Sequence, residues 1–233
     1  MTKMMTGASE TSASIKIATT PAAAIRALPA RSFVRLSDLP GGDTARRKAV
    51  SRAVGNGELV KVHRGLYYRG KATRYGMTRP STIDVVNVVM GDVGVGPAGF
   101  SAARDWGVTT QVPPNVHVAT LKSVDGLDGV KQSVRSNLAR AGLNAKEIAL
   151  LELMREPDVY VEAGWRALVA AVRDAIAARA IRVGRLRFAV RREYDVATRS
   201  NFDRLLADLN GRPGLAVADG DVCLLYTSDA ADE

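Results

Sequence analysis

Few residues in this sequence have the type and spacing to run a reaction. Gly94, Gly96 and Gly99 spell G-x-G-x-x-G, the spacing that cradles a pyrophosphate between a strand and a helix. A helix is expected after them, but Pro97 sits inside the turn. Asp125, the next acid that could hold a ribose, follows another strand candidate. The glycines therefore read as a tight turn ahead of a helix. His63 and His117 are the two histidines, each on a strand-like segment, and no carboxylates cluster beside them as a zinc site would need. Ser101, His117 and a distant Asp lack the strand-turn-helix context of an activated serine. Glu147, Glu152 and Glu156 recur at helical spacing near Lys146 and Arg155, which reads as a solvated helix face. The expectation is a protein that is not an enzyme, with no catalytic residue, metal or cofactor.

The chemistry that the sequence does offer is positive charge. The 233 residues carry a net charge of +9. Between Arg31 and Arg79 twelve Lys and Arg face three acids, Asp38, Asp43 and Glu58. A basic block this concentrated suits the phosphate backbone of nucleic acid, where each neutralised phosphate releases counterion. Its densest part is T-A-R-R-K-A-V-S-R-A-V, residues 44–54. On a helix, Ala45, Ala49, Val50 and Ala53 make one apolar stripe. Thr44, Arg46, Arg47, Lys48, Ser51 and Arg52 then cover the rest. The major groove of duplex DNA admits such a helix, and an Arg there can pair both acceptors of guanine. Lys61, Arg64 and Arg69 lie on a following hairpin, placed to meet phosphates or the minor groove. Tyr67 and Tyr68 beside them read as packing rather than base stacking.

These side chains need elements to hold them. Residues 21–28 read as a short helix with Pro21 in its first turn, and residues 32–36 as a short strand. Ser37 is expected to cap a brief turn that stops at Pro40. After Gly41 and Gly42, Asp43 is expected to cap the basic helix, which Gly55, Asn56 and Gly57 end. Residues 59–63 and 66–68 alternate as two strands around a tight Arg64-Gly65 turn. Helix, strand, turn-helix, helix and hairpin is the order of a winged helix-turn-helix. Residues 71–80 are polar and turn-rich and read as a linker. Beyond them Ser81 caps a helix to residue 90, residues 100–106 form another, and residues 115–120 form a strand. Residues 129–135 are its candidate partner, with Gly126, Asp128 and Gly129 for the turn between them. Asn144 caps a helix that Pro157 closes, residues 163–181 form a long amphipathic helix, and Ser200 caps a last one ended by Gly211. The fold class expected is α+β: a winged helix-turn-helix over 21–70, then a mixed α/β domain over 81–211 with a helical C-terminal part.

Composition sets the remaining bounds. Hydrophobic residues make up 46% of the chain, enough for a core. The sequence has no apolar run of the ~18 residues a membrane span requires. Residues 1–20 lack the pattern of a secretory signal and read as a disordered leader, so the expected location is the cytoplasm. Cys223 is the single cysteine, so no internal disulfide forms. It opens C-L-L-Y-T-S-D-A-A-D-E, residues 223–233, which reads as a translated sequencing adaptor and is set aside from the fold.

Two stretches carry a family likeness. One is K-A-V-S-R-A-V-G-N-G-E-L-V-K-V-H-R-G-L-Y-Y, residues 48–68. The other is G-P-A-G-F-S-A-A-R-D-W-G-V-T-T-Q-V-P, residues 96–113. In this order they resemble the AbiEi-like antitoxins of bacterial type IV toxin–antitoxin systems and a closely similar group of bacterial winged-helix proteins, over roughly residues 20–210. The resemblance implies a winged helix that binds double-stranded operator DNA and represses its own operon. It also implies a second domain that supports antitoxin activity against a nucleotidyltransferase-like toxin encoded next door. The DNA-reading roles it carries over fall on Arg46, Arg47, Lys48 and Arg52 of the helix and Arg64 of the wing. The T-T-Q-V-P string is assigned to folding of the second domain. The alternative is a protein-interaction module that restrains a toxin directly without reading DNA.

Overall fold

Thr20, expected as the end of the leader, is already structural: its Oγ1 accepts from the Ala23 amide at 3.2 Å and caps the first helix. The computed structural model describes residues 20–211. The rest of the expected leader and the adaptor-like tail lie outside the described residues. The fold is mixed α and β with small sheets. It comprises two units, residues 20–91 with Val124–Asp128, and Asp92–Ser123 with residues 129–211. Among the described residues no helix is long and apolar enough to cross a membrane.

In the first unit, α1 (Pro21–Ala27) is followed by β1 (Ser32–Arg35) and a 3-10 turn (Leu36–Asp38). Ser37 lies inside that turn, bonded to Asp38, and does not cap it. Then come α2 (Asp43–Gly55), β2 (Val60–His63) and β3 (Leu66–Arg69). The three strands pair antiparallel in the order β1-β3-β2. Ile25 and Leu28 of the α1 segment, Val34, Leu39, Leu59, and Val50 and Ala53 of α2 form the core. Gly42, not Asp43, caps α2. Asp43 is its first residue, and its carboxylate reaches back to Arg47 at 2.9 Å, an i,i+4 pair.

Residues 71–80, expected as a linker, contain a two-stranded hairpin, β4 (Ala72–Thr73) with β5 (Gly76–Met77). Gly70 permits it, because a Cβ there would stand 2.0 Å from the Thr78 carbonyl oxygen. The unit's last helix is α3 (Thr82–Met90), capped by Ser81 as expected.

The second unit holds a small sheet in the order β6-β7-β8: β6 (Gly96–Pro97), β7 (Val116–Thr120) and β8 (Val130–Val134). The expected partner strand is present, but β7 and β8 run parallel, Val116 opposite Val130 through Thr120 opposite Val134. Gly126, Asp128 and Gly129 therefore close no hairpin. Residues 121–129 carry the chain back to the start of the sheet, and Val124–Asp128 within them group with the first unit. Helix α4 (Gly99–Asp105) precedes β7. Gly96 packs on α5 (Ala145–Leu153), where an added Cβ would meet Ile148 Cβ at 2.7 Å.

Asn144 caps α5 in a reciprocal box with Glu147. Residues 147–153 are buried on every side, so the expected solvated face of Glu147 and Glu152 is overturned. Burial is possible because distant arginines meet both acids. Arg182 bonds both oxygens of Glu147. Arg135 and Arg140 bond Glu152.

Pro157 opens a one-turn helix, α6 (Pro157–Tyr160). The long helix is α7 (Trp165–Ala177), shorter than expected, and a separate α8 (Val183–Val190) follows it. The last helix, α9 (Val196–Asn210), is capped by Asp195 through the Thr198 amide, with Ser200 inside it.

Candidate nucleic-acid interface

Helix α2 forms where good helix formers lie between the glycines at 41–42 and the Gly55-Asn56-Gly57 stop. Val50 and Ala53 are buried and Ala49 is half-buried. Ala45, expected in the apolar stripe, is exposed, and Arg46 takes its place on the inner side. Helical spacing puts Arg46 beside Val50 and Ala53, and its Nε is enclosed without a partner. This corrects the outward orientation expected of Arg46. The aliphatic stem of an arginine can lie along a core edge, and an exposed alanine methyl costs little.

The outer side of α2 carries Thr44, Arg47, Lys48, Ser51 and Arg52, all exposed. Arg47 is held by Asp43 yet stays largely in solvent. Lys48 and Arg52 line a groove of about 480 Å³ between α1 and α2, with Ala22, Ile25, Ala49 and Arg26. Arg26 lies outside the basic block that the sequence pattern points to. Its signal is the buried Ala24-Ile25 pair, which turns the next residue outward.

The β2–β3 hairpin adds Lys61, exposed opposite Tyr67, and Arg64, exposed at the tip. Gly65 closes that tip with a φ of 70°, a conformation that favours glycine. Leu36 donates its amide to the Gly65 carbonyl at 2.8 Å, tying the tip to the end of β1. His63 in β2 places Nε2 2.8 Å from the Asp125 carbonyl oxygen. Among the described residues, the side chains of Lys48, Arg52, Lys61 and Arg64 meet no acid or hydrogen-bond partner.

Arg69 stands apart from this set. It is half-buried, and its Nη1 donates to the carbonyls of Ile25, Arg26 and Leu28 at 2.9, 2.6 and 2.7 Å. It closes the C-terminal end of α1 and so anchors β3 to that helix. Tyr68 is buried and packs on Phe33, with ring centroids 4.9 Å apart; Tyr67 flanks the core.

Ser101 and His117 of the second unit are close, but not as a nucleophile and its base. The Ser101 hydroxyl accepts the His117 amide at 2.9 Å, while His117 Nε2 meets Ser133 Oγ at 2.8 Å. Burial, helped by Lys131, holds the imidazole below its ordinary pKa and favours its neutral form. Gly94 and Gly99 take φ of 69° and 51° around β6, the tight turn expected of them. Thr109 and Thr110 hydroxyls and the Thr110 amide converge on Glu162, so the T-T-Q-V-P string staples a loop of its own unit. Among the described residues no group of three His, Cys, Asp or Glu could hold a metal.

No protein-family model and no curated protein matches the chain. The crystal structure of the RV2827C protein from Mycobacterium tuberculosis is similar, with a TM-score of 0.47 and 17% sequence identity over 89% of this chain and 78% of that one.

Proposed function

We propose that the first unit is a winged helix-turn-helix that binds duplex DNA, with α2 as its reading helix and the β2–β3 hairpin as its wing. The observation that carries this is the outer side of α2, where Arg47, Lys48 and Arg52 stand exposed beside Thr44 and Ser51 on a helix whose other side is locked into a core. Lys48 and Arg52 have no acid to neutralise them and Arg47 stays largely in solvent beside Asp43, so each can displace counterion from a phosphate or reach a base edge. Arg26 extends the same charge onto α1. With the likeness of residues 48–68 and 96–113 to AbiEi-like antitoxins, the protein is an autorepressor and antitoxin of a type IV, abortive-infection system. It acts in the cytoplasm against a nucleotidyltransferase-like toxin, and it acts by binding rather than by catalysis.

The test is fluorescence anisotropy with a duplex from upstream of its own gene, titrated from about 50 to 200 mM salt. Binding should weaken steeply with salt. The triple variant Arg47→Glu, Lys48→Glu, Arg52→Glu should lose about 100-fold or more in affinity, the sum of two or three base and phosphate contacts. Wild-type affinity in that variant would remove α2 as the reading helix. Co-expression with the neighbouring gene tests the antitoxin half: toxicity that the intact chain does not relieve refutes it.

A further inference from the structure

The second unit exposes large apolar side chains where its 3-10 turn (Leu138–Gly142), the end of α8 and the start of α9 meet. Leu138 is 76% exposed, Phe188 51%, Tyr194 83% and Val196 67%. Leu138, Phe188 and Tyr194 line one depression of about 510 Å³, with Asn137 and Arg192. Exposed apolar groups gathered like this mark interaction surfaces far more often than scattered single ones do. We propose that this face docks an acidic, amphipathic segment of a partner protein. The proposal stands on the second unit alone and does not depend on DNA binding by the first.

Charge complementarity selects the partner. Arg185, Arg191 and Arg192 are exposed around Phe188, three or four residues from it. The nearby acids are already engaged: Glu193 by Arg140 and Asn137, and Asp195 by Thr198 and Arg155. The rim is therefore cationic over an apolar floor.

The floor is also rigid. Asn137 is buried, and its Nδ2 donates to the Ala189 carbonyl at 2.9 Å and to Glu193 at 2.7 Å. A preformed surface loses little order on binding.

Arg192 lies over the Phe188 ring at 3.8 Å from its centroid. A guanidinium stacked this way still offers its edge donors to a carboxylate. It also covers a face of the Phe188 ring on which a nucleobase could stack, and Leu138 and Val196 offer no stacking plane, which leaves Tyr194 as the open ring of the depression. A peptide with leucine or phenylalanine on one side and glutamate on the other fits this surface better than a single-stranded nucleic acid, whose successive bases would need a run of open rings.

The probe is a fluorescein-labelled synthetic helix of about five turns, with Leu and Phe on one face and Glu on the other, added to the full chain. Micromolar binding by anisotropy is expected. Leu138→Ser with Tyr194→Ser should weaken it about tenfold, and Arg191→Glu with Arg192→Glu by at least as much. The triple variant of α2 should bind the peptide like wild type, which separates this face from the basic helix. Circular dichroism and tryptophan emission should be unchanged in each variant, since the substituted side chains are exposed. Three results overturn the proposal. One is no binding, or binding that ignores the Leu138, Tyr194, Arg191 and Arg192 changes. Another is a labelled oligo-dT that binds tighter than the peptide and is lost in the same variants. The last is a dimer in sedimentation that Leu138→Ser with Tyr194→Ser dissociates.

Discussion

Glu152→Gln should unfold the second unit more readily than any surface change, and its magnitude follows from the burial of Arg140. Arg140 is fully buried; its Nη1 donates to Glu152 at 2.5 Å and its Nε to Glu193 at 2.6 Å. Glu152 is also buried and takes two further bonds from Arg135, at 2.9 and 2.5 Å. Burial alone would push the Glu152 carboxyl up, but the Arg135 hydrogen bonds and the charges of Arg140 and Arg135 hold it below its ordinary value. Removing that charge leaves the Arg140 guanidinium in the core with Glu193 as its one acid. Removing one partner of a buried pair costs about 3–5 kcal/mol. The amide oxygen still accepts one bond and Arg135 reaches solvent, so the lower end, about 3 kcal/mol, applies. Against a total stability of roughly 5–15 kcal/mol that is a large fraction. It corresponds to a fall of about 10 °C in Tm. Trp106 and Trp165 are the chain's two tryptophans and both lie in the second unit, so their emission in urea reports this unit alone. Arg140→Lys should cost nearly as much, because an ammonium cannot present two directed edges to Glu152 and Glu193. A loss below about 1 kcal/mol for Glu152→Gln would mean that the network is solvated and does not hold the unit together.

Two further outcomes follow from other polar contacts. Arg69→Met should destabilise the first unit by about 1.5–3 kcal/mol by stripping the charged donor from three α1 carbonyls, seen as faster amide exchange in α1. The salt slope of DNA binding should stay unchanged; a slope lower by about one would make Arg69 a phosphate contact instead. The second unit should lose stability as pH falls below about 6.5, first through His117, whose folded pKa lies below its unfolded value. The loss should deepen below about pH 4.5 as protons reach the unfolded chain before Glu152, Asp195 and Glu162, all held low in the fold. A urea midpoint by tryptophan emission that stays flat from pH 7 to 3.5 would contradict these assignments.

The first unit was largely legible because punctuation marks its elements: paired glycines before α2, Gly-Asn-Gly after it, Arg-Gly at the hairpin tip. What the pattern misjudged there was which side of α2 turns inward, since Arg46 and Ala45 exchange the places their hydropathy suggests. The hairpin within residues 71–80 is not legible in the sequence because two-residue strands leave no alternation to read. In the second unit the failures are non-local. Helix α5 carries glutamates at solvated spacing, and only Arg182, Arg140 and Arg135, remote in sequence, make their burial tolerable. The direction of β8 relative to β7 depends on where residues 121–129 travel, which local turn chemistry does not encode. Ser200 and Asp195 are both good caps for the last helix, and burial of Thr198 and Phe202 selects the earlier one.

The two units differ in how many of their cations they pair with acids, and that contrast bears on function more than the net charge does. In the second unit Arg135, Arg140, Arg155, Arg182 and Lys146 each meet a carboxylate. Arg135, Arg140 and Arg182 make the burial of Glu147, Glu152 and Glu193 possible, while Lys146 and Arg155 pair with the partly exposed Asp105 and Asp195. In the first unit Arg47 with Asp43 is the one such pair among the described residues, and it is exposed, at i,i+4, worth about 0.3–0.5 kcal/mol. It orients the guanidinium without neutralising it. Like charges gathered on one small helix repel one another, which opposes folding unless something anionic relieves it. Folding does not explain Lys48, Arg52, Lys61 and Arg64, because none holds an element in place, whereas Arg69, which does, is turned inward onto carbonyls. Within the first unit, these four unpaired cations are among those that the DNA-binding reading uses.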